Sequence, residues 1–277
     1  MINEGRGISE LNKEETENIF KIIKKNGYSL FNHQILNRNI EIRFMEGNYD
    51  SMVRKNNGKY YLILTAPKKY DDLKLKTIIT HELNHLIEVS KIEDKKYRYP
   101  NYNKIKRSLI EFKPKSNELE FFKHLLYKTL DNEVNANVNQ TYTYLRSFDT
   151  SDRNFLIKKL EDYDVRKEYE KLLKFNVSKF KFDVKSKKIN FDEFNSILNK
   201  NEVDTFLDFI NEKNIEKYID SWFKIIKSNI KKLLKKQENI INEVIEDFNN
   251  YNNPPYEINE KSILLYYQYL NENIDNE

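Results

Sequence analysis

From Asp72 to Lys91 the chain runs without a proline or a glycine, and apolar residues recur at Leu75, Ile78, Ile79, Leu83, Leu86 and Ile87. That spacing fits an amphipathic helix and no other regular structure. Inside it stands His81-Glu82-Leu83-Asn84-His85. Side chains four apart on a helix share a face, one turn above each other. His81 and His85 can therefore offer two imidazole nitrogens to one ion, while Ile79, Leu83 and Leu86 form a separate buried stripe. Glu82 lies about 100° round the helix from His81, where its carboxylate can reach a water without ligating the ion. Two nitrogens, an adjacent base and an open position for water are what a hydrolytic zinc site needs.

Two histidines do not make a tight site, so a third ligand is expected. The chain has 4 histidines. Of the other two, His33 falls among expected strands, and His124 belongs to an apolar helix beginning near Glu118. Glu133 is the better candidate, in Leu130-Asp-Asn-Glu-Val-Asn-Ala-Asn137. The segment is helix-compatible and far enough after His85 for the chain to return. Ala136 is small enough for a neighbouring helix to come close. Asn137, one turn after Glu133, can hydrogen-bond a ligand imidazole from behind.

The pattern His81-Glu82-x-x-His85 followed by Glu133-x-x-Ala136-Asn137 resembles the zincin metallopeptidases with a glutamate third ligand, the gluzincins. Thermolysin-like enzymes, the minigluzincins and several phage and bacterial proteins share it. The resemblance covers roughly residues 35–148. It implies Zn2+ held by His81, His85 and Glu133, Glu82 as general base, and a peptide or protein as substrate. It also implies a tyrosine or histidine as a second donor to the tetrahedral oxyanion. Tyr142, Tyr99 and Tyr102 stay open for that role, whereas Tyr144 lies too far along the helix. The chain departs from the thermolysin-like pattern in carrying an amide, Asn137, where an acidic residue usually stands.

Composition narrows the remaining classes. The 277 residues include no cysteine, which removes disulfides, thiolate metal sites and a catalytic thiol. A net charge of +4 with 33% charged residues of both signs does not call for a nucleic-acid partner. The run Lys231-Lys-Leu-Leu-Lys-Lys236 reads as the solvated side of a helix, with acids soon after it. No apolar run is long enough for a membrane span, and the first residues lack the pattern of a secretory signal. A cytoplasmic or virion-associated protein is expected. The abundance of Lys, Asn, Ile and Tyr fits an AT-rich genome, and with the resemblance it suggests a phage or mobile element.

The expected fold is α+β: a zincin-like half with a small sheet and the metal-binding helix, residues 1–150, then a mostly helical region, 151–277, packed on it. A helix is expected over Ile8–Lys25 with Ser9 as its cap, one strand over Gln34–Phe44, and a strand over Lys59–Thr65. This last strand reads equally as a central strand or as an edge that binds extended substrate. Lys91–Asn117 is a long basic connection with the character of a lid or specificity loop. Glu118–Phe148 is helical with a break near Asp131, and Ser151–Phe175 is helical. Val177–Lys185 alternates like a short strand or an extended link. Helices are expected from about Asn190, over Glu202–Ile210 and over Lys261–Leu270. Between Ile215 and Phe248 a long helix carries an apolar seam at Phe223, Ile226, Ile230, Leu233, Ile240 and Val244. A rival reading rests on the large C-terminal region without recognisable catalytic residues and on Asn137: a zincin-fold interaction protein, catalytically weak or inactive, whose C-terminal helices dock to a partner.

Overall fold

The structure, a computed structural model, describes residues 4–35, 38–93, 108–190 and 215–252. It is an α+β fold with the sheet in the N-terminal half and helices after it. Helix α1 (Glu4–Asn26) leads into β1 (Ser29–Ile35), β2 (Arg38–Glu46), β3 (Met52–Asn56) and β4 (Lys59–Ala66), followed by α2 (Asp72–Glu93). The helical half comprises α3 (Asn117–Lys128), α4 (Asp131–Arg146), α5 (Arg153–Asp162), α6 (Asp164–Leu172), α7 (Val177–Lys185) and α8 (Ile215–Asn252). Among the described residues, no helix is long and apolar enough to cross a membrane.

Helix α1 begins before Ile8, so Ser9 lies within it and does not cap it. Its C-terminus is closed by Gly27 at φ +64°, whose N–H donates to the Ile23 carbonyl at 2.8 Å. The sheet order is β1-β2-β4-β3. The stretch expected to give one strand belongs to two, β1 and β2, paired antiparallel from Ser29↔Phe44 to Ile35↔Arg38. Strand β3 makes an antiparallel hairpin with β4 through Asn57-Gly58, both at positive φ, as a two-residue hairpin turn requires. Strand β4 then pairs parallel with β2. It has a neighbour on each side, so the central reading of Lys59–Thr65 holds and the edges are β1 and β3.

Alternate residues Ile40, Ile42 and Phe44 of β2 and Tyr60, Leu62 and Leu64 of β4 are buried on one face. They pack with Ile19 and Ile23 of α1 and with Leu75, Ile79, Leu83 and Leu86 of α2. The helical half has cores of its own. One joins Phe122 and Leu125 of α3 and Val134 of α4 to Tyr169, Phe180, Phe223, Ile230 and other residues of α6, α7 and α8. A smaller one joins Tyr142 and Leu145 of α4 to Leu156, Leu160, Ile240 and Val244. All six residues of the expected seam are therefore buried within the chain.

Segment Val177–Lys185 is helix α7 and not a strand. Asn176 caps it, accepting from the Lys179 N–H, and Phe180, Asp183 and Val184 are buried at helical spacing. The break near Asp131 is as expected. The helices expected from Asn190, over 202–210 and over 261–270 lie outside the described residues, as does most of the 91–117 connection.

One ion-pair cluster in the helical half gives a pH-dependent expectation. His124, expected on an apolar face, contacts Glu168 at 2.9 Å, and Lys128 contacts the same carboxylate at 3.4 Å. The His124 hydrogen bond, helped by the charge of Lys128 and opposed by burial, holds the Glu168 carboxyl below its usual value of 4.5. A depressed carboxyl stabilises the folded state above its unfolded pKa and loses that contribution as pH falls through the folded one. Glu168→Gln should therefore destabilise the protein near neutrality, with the difference vanishing in acid below the ordinary glutamate range. The side chain is a third exposed, so screening keeps the effect below about 1 kcal/mol. Denaturant melts of both proteins at pH 7 and in acid check it.

Candidate metal centre

Helix α2 starts where Asp71 accepts from the Lys74 N–H at 2.7 Å, and it runs unbroken through the motif. Leu83 and Leu86 hold one face on the sheet, so His81 and His85 turn to α4. Helix α4 brings Glu133 to them in its first turn, where the positive end of the helix dipole favours a carboxylate. The two imidazole Nε2 atoms lie 3.1 Å apart. Glu133 spans them: Oε1 is 3.2 Å from His85 Nε2, and Oε2 is 3.5 Å from His81 Nε2.

These separations test whether an ion fits. Four donors placed tetrahedrally at about 2.0–2.1 Å from zinc are about 3.3 Å from one another. The imidazole nitrogens lie 3.1 Å apart, and each has a Glu133 oxygen, a different one for each, at 3.2–3.5 Å, distances close to that value. Glu133 is only 2% exposed, and an uncompensated carboxylate at such a depth costs several kcal/mol. Burial pushes its carboxyl up, but the hydrogen bonds and charge of His81 and His85 outweigh burial and hold it well below the usual carboxylate range. A permanently anionic carboxylate facing two imidazoles suits a cation. The donor set, two histidines and one glutamate, is one that catalytic zinc uses. Among the described residues, this is the one group of three or more such side chains with metal-binding spacing.

The surroundings differ in part from the sequence reading. Asn137 does not sit behind an imidazole. Its amide donates to the Glu133 carbonyl at 2.6 Å and to the Tyr169 hydroxyl at 3.0 Å. The imidazole neighbour is Asn132, whose amide lies 3.4 Å from His85 Nδ1 while its oxygen accepts from the Glu133 N–H at 2.7 Å. His81 Nδ1 is buried with no hydrogen-bond partner among the described residues. Asn132 stands next to Glu133 in sequence, so its position beside that carboxylate was available as a signal.

The tyrosines also sort differently. The Tyr142 hydroxyl donates to Asp247 of α8, and its ring lies under Lys13 of α1, so it is committed away from the site. Tyr144 stacks on Tyr163. Tyr99 and Tyr102 lie outside the described residues. The phenol at the site is Tyr127, unforeseen from sequence, in the last turn of α3. Burial, with the nearby charges of Glu133 and Glu82, pushes the pKa of its hydroxyl up. Glu82 itself is 8% exposed. His33 is remote from the centre and contacts Glu15 at 2.6 Å.

Along the α2–α4 contact the pairs are polar. His85 faces Asn132, Asn84 accepts from Asn139 at 2.7 Å, and Thr80 meets Thr143 at 2.9 Å. Thr80 also meets Thr16 of α1, and its carbonyl accepts from Asn12. Ala136 is fully buried. On its other side α4 is covered by α8, with Gln237 donating to Thr141 and Asn229 to the Thr129 carbonyl. Comparison with protein-family models, with curated proteins and with solved structures returned no match.

Proposed function

We propose that the protein is a zinc-dependent metallopeptidase of the gluzincin kind. The observation that carries this reading is the convergence of His81, His85 and Glu133 with their donor atoms within 4.8 Å of one another, and Glu82 next in chain to His81. Bound there, zinc supplies a Lewis acid that polarises the scissile carbonyl and acidifies a water. His81 and His85 offer their Nε2 atoms, and Glu133 contributes the anionic ligand. Glu82 takes a proton from the attacking water and passes it to the leaving amine. Extended substrate has a backbone to pair with at β3, one of the two edges of the sheet and the one α2 lies against together with β4. The seam of α8 is buried inside the chain, which leaves the partner-docking alternative without that surface.

Elemental analysis of protein prepared without chelator should show one zinc per chain. Chelation should stop peptide hydrolysis and added zinc restore it. Glu133→Ala is expected to weaken zinc by more than the roughly 10–100-fold that loss of an outer hydrogen-bond partner causes. A variant that keeps the parent's affinity would assign the third ligand elsewhere, and hydrolysis indifferent to chelation would remove the zinc reading.

A further inference from the structure

Resting on the metal reading above, we infer that Tyr169, a residue of the helical half with no part in the motif, is a positioning residue for the metal centre. Its hydroxyl fixes the junction of α3 and α4 and so holds Glu133 where the carboxylate reaches both imidazoles.

Glu133 lies in the first turn of α4, and that turn is weakly fixed by its own sequence. The residue at its N-cap is Leu130, whose side chain makes no capping bond. An apolar residue there forgoes the roughly 0.5–2 kcal/mol that a polar cap contributes. Asn132 accepts from the Glu133 N–H at 2.7 Å, yet it belongs to the same turn and moves with it. A ligand on such a turn needs anchoring from elsewhere, because a metal centre tolerates displacements of only about 0.5 Å.

The helical half supplies the anchor. Only Thr129 and Leu130 join α3 to α4. The Tyr169 hydroxyl, presented from α6, donates to the Lys128 carbonyl at 2.8 Å. That carbonyl is at the end of α3, where helix carbonyls lack partners within the helix. The same hydroxyl oxygen accepts from the Asn137 amide at 3.0 Å, and that amide also donates to the Glu133 carbonyl at 2.6 Å. One hydroxyl thus ties the last carbonyl of α3 to the second turn of α4, across the uncapped start that carries Glu133. On the next residue of the link, Asn229 of α8 donates to the Thr129 carbonyl at 3.0 Å. Tyr169 and Asn137 are both buried, so water does not compete for these bonds. The ring of Tyr169 belongs to the core that includes Phe122, Val134 and Leu172, which gives the hydroxyl a rigid support. This also accounts for Asn137: it links the backbone of the ligand residue to the phenol that anchors it. A phenylalanine would fill the same space in the core, so the hydroxyl serves the junction and not the packing.

The test uses the full chain as parent, Tyr169→Phe, Asn137→Ala and Leu172→Val. Leu172 is buried in the same core and on the same helix as Tyr169, and its apolar side chain cannot hydrogen-bond the junction. Zinc affinity is read by competition with a chromophoric chelator, the site's geometry by the visible spectrum of the cobalt(II) form, and stability by melting of the metal-free protein. Tyr169→Phe should bind zinc about tenfold more weakly, the lower end of the range for a lost outer hydrogen-bond partner, and should shift the cobalt bands. Leu172→Val should lower the melting temperature and keep the parent's affinity and spectrum. A folded Tyr169→Phe with the parent's affinity and spectrum overturns the inference. So does an equal loss of affinity in Leu172→Val, which would make the effect one of stability alone. Should Tyr169→Phe not fold, Asn137→Ala removes the same bond from the other side and is judged by the same two readings. A parent that binds no zinc overturns this inference and the metal reading together. A parent that binds zinc but is indifferent to Tyr169→Phe overturns this inference alone.

Discussion

A chain ending at Thr150 is expected to lose the fold of its remaining helices. The cores around α3 and α4 are completed from beyond that point, by Leu156, Leu160, Tyr169, Phe180, Ile219, Phe223, Ile230, Leu233, Val244 and others, each buried. A fully buried side chain of this size contributes roughly 1.5–3 kcal/mol. Together they contribute as much as the whole net stability of an ordinary domain, about 5–15 kcal/mol, or more. Truncation also exposes Leu125, Phe122 and Leu145 on the residues that remain. The shortened chain should be insoluble, or should show little helical signal and rapid proteolysis after residue 108. Zinc affinity should fall with the placement of α4. A truncated protein that is folded, monomeric and binds zinc like the parent would make α5–α8 an independent module.

Glu82→Gln is expected to keep the fold and the metal while lowering turnover by roughly 10²–10⁴-fold, the range assigned to a positioned general base. Glutamine preserves the shape of the side chain and cannot accept the proton. The carboxylate is not among the converging ligand atoms, so zinc content should stay at the parent's value. Measuring zinc content and peptide hydrolysis on the same preparation separates the two effects. Equal turnover would show that Glu82 is not the base, and loss of zinc would make it a ligand.

The parts of this architecture legible in the sequence were those written in one local period. Helix α2 and its buried stripe follow from spacing alone, and the seam of α8 does too. The meeting of Glu133 with the two histidines was legible because it needed only a helix of compatible sequence at a workable distance. Contacts set by a partner far along the chain were harder to read. Asn137 shares a helix face with Glu133, yet Tyr169 arrives from α6 and engages its amide. Tyr142 has the right chemistry for an active site, but Asp247, about a hundred residues later, accepts the hydrogen bond from its hydroxyl. Tyr127 gave no signal because a tyrosine on an apolar helix reads as core. The misread of α7 has a local cause: Phe180 and Phe182 alternate with lysines, yet Phe182 is exposed and Phe180 and Val184 are buried. The hairpin β3–β4 was announced by Asn57-Gly58, the strongest short-range turn signal. It was hidden by the polar content of Met52–Asn56, which an exposed edge tolerates.

The polar character of the α2–α4 contact bears on how uniquely the two helices can dock. Two greasy faces can slide by a turn and lose little, because dispersion and burial are indifferent to which methyl meets which. Amides and hydroxyls are not indifferent. His85 with Asn132, Asn84 with Asn139 and Thr80 with Thr143 run in opposite directions along the two helices. Sliding α4 by one turn would part all three pairs at once and leave buried donors and acceptors unmatched, at about 1–3 kcal/mol for each. The contact thus behaves as a keyed joint that admits one alignment. Glu133 reaches both imidazoles only in that alignment, so the keying, read as polar residues where a core would place leucines, selects the register on which the centre depends.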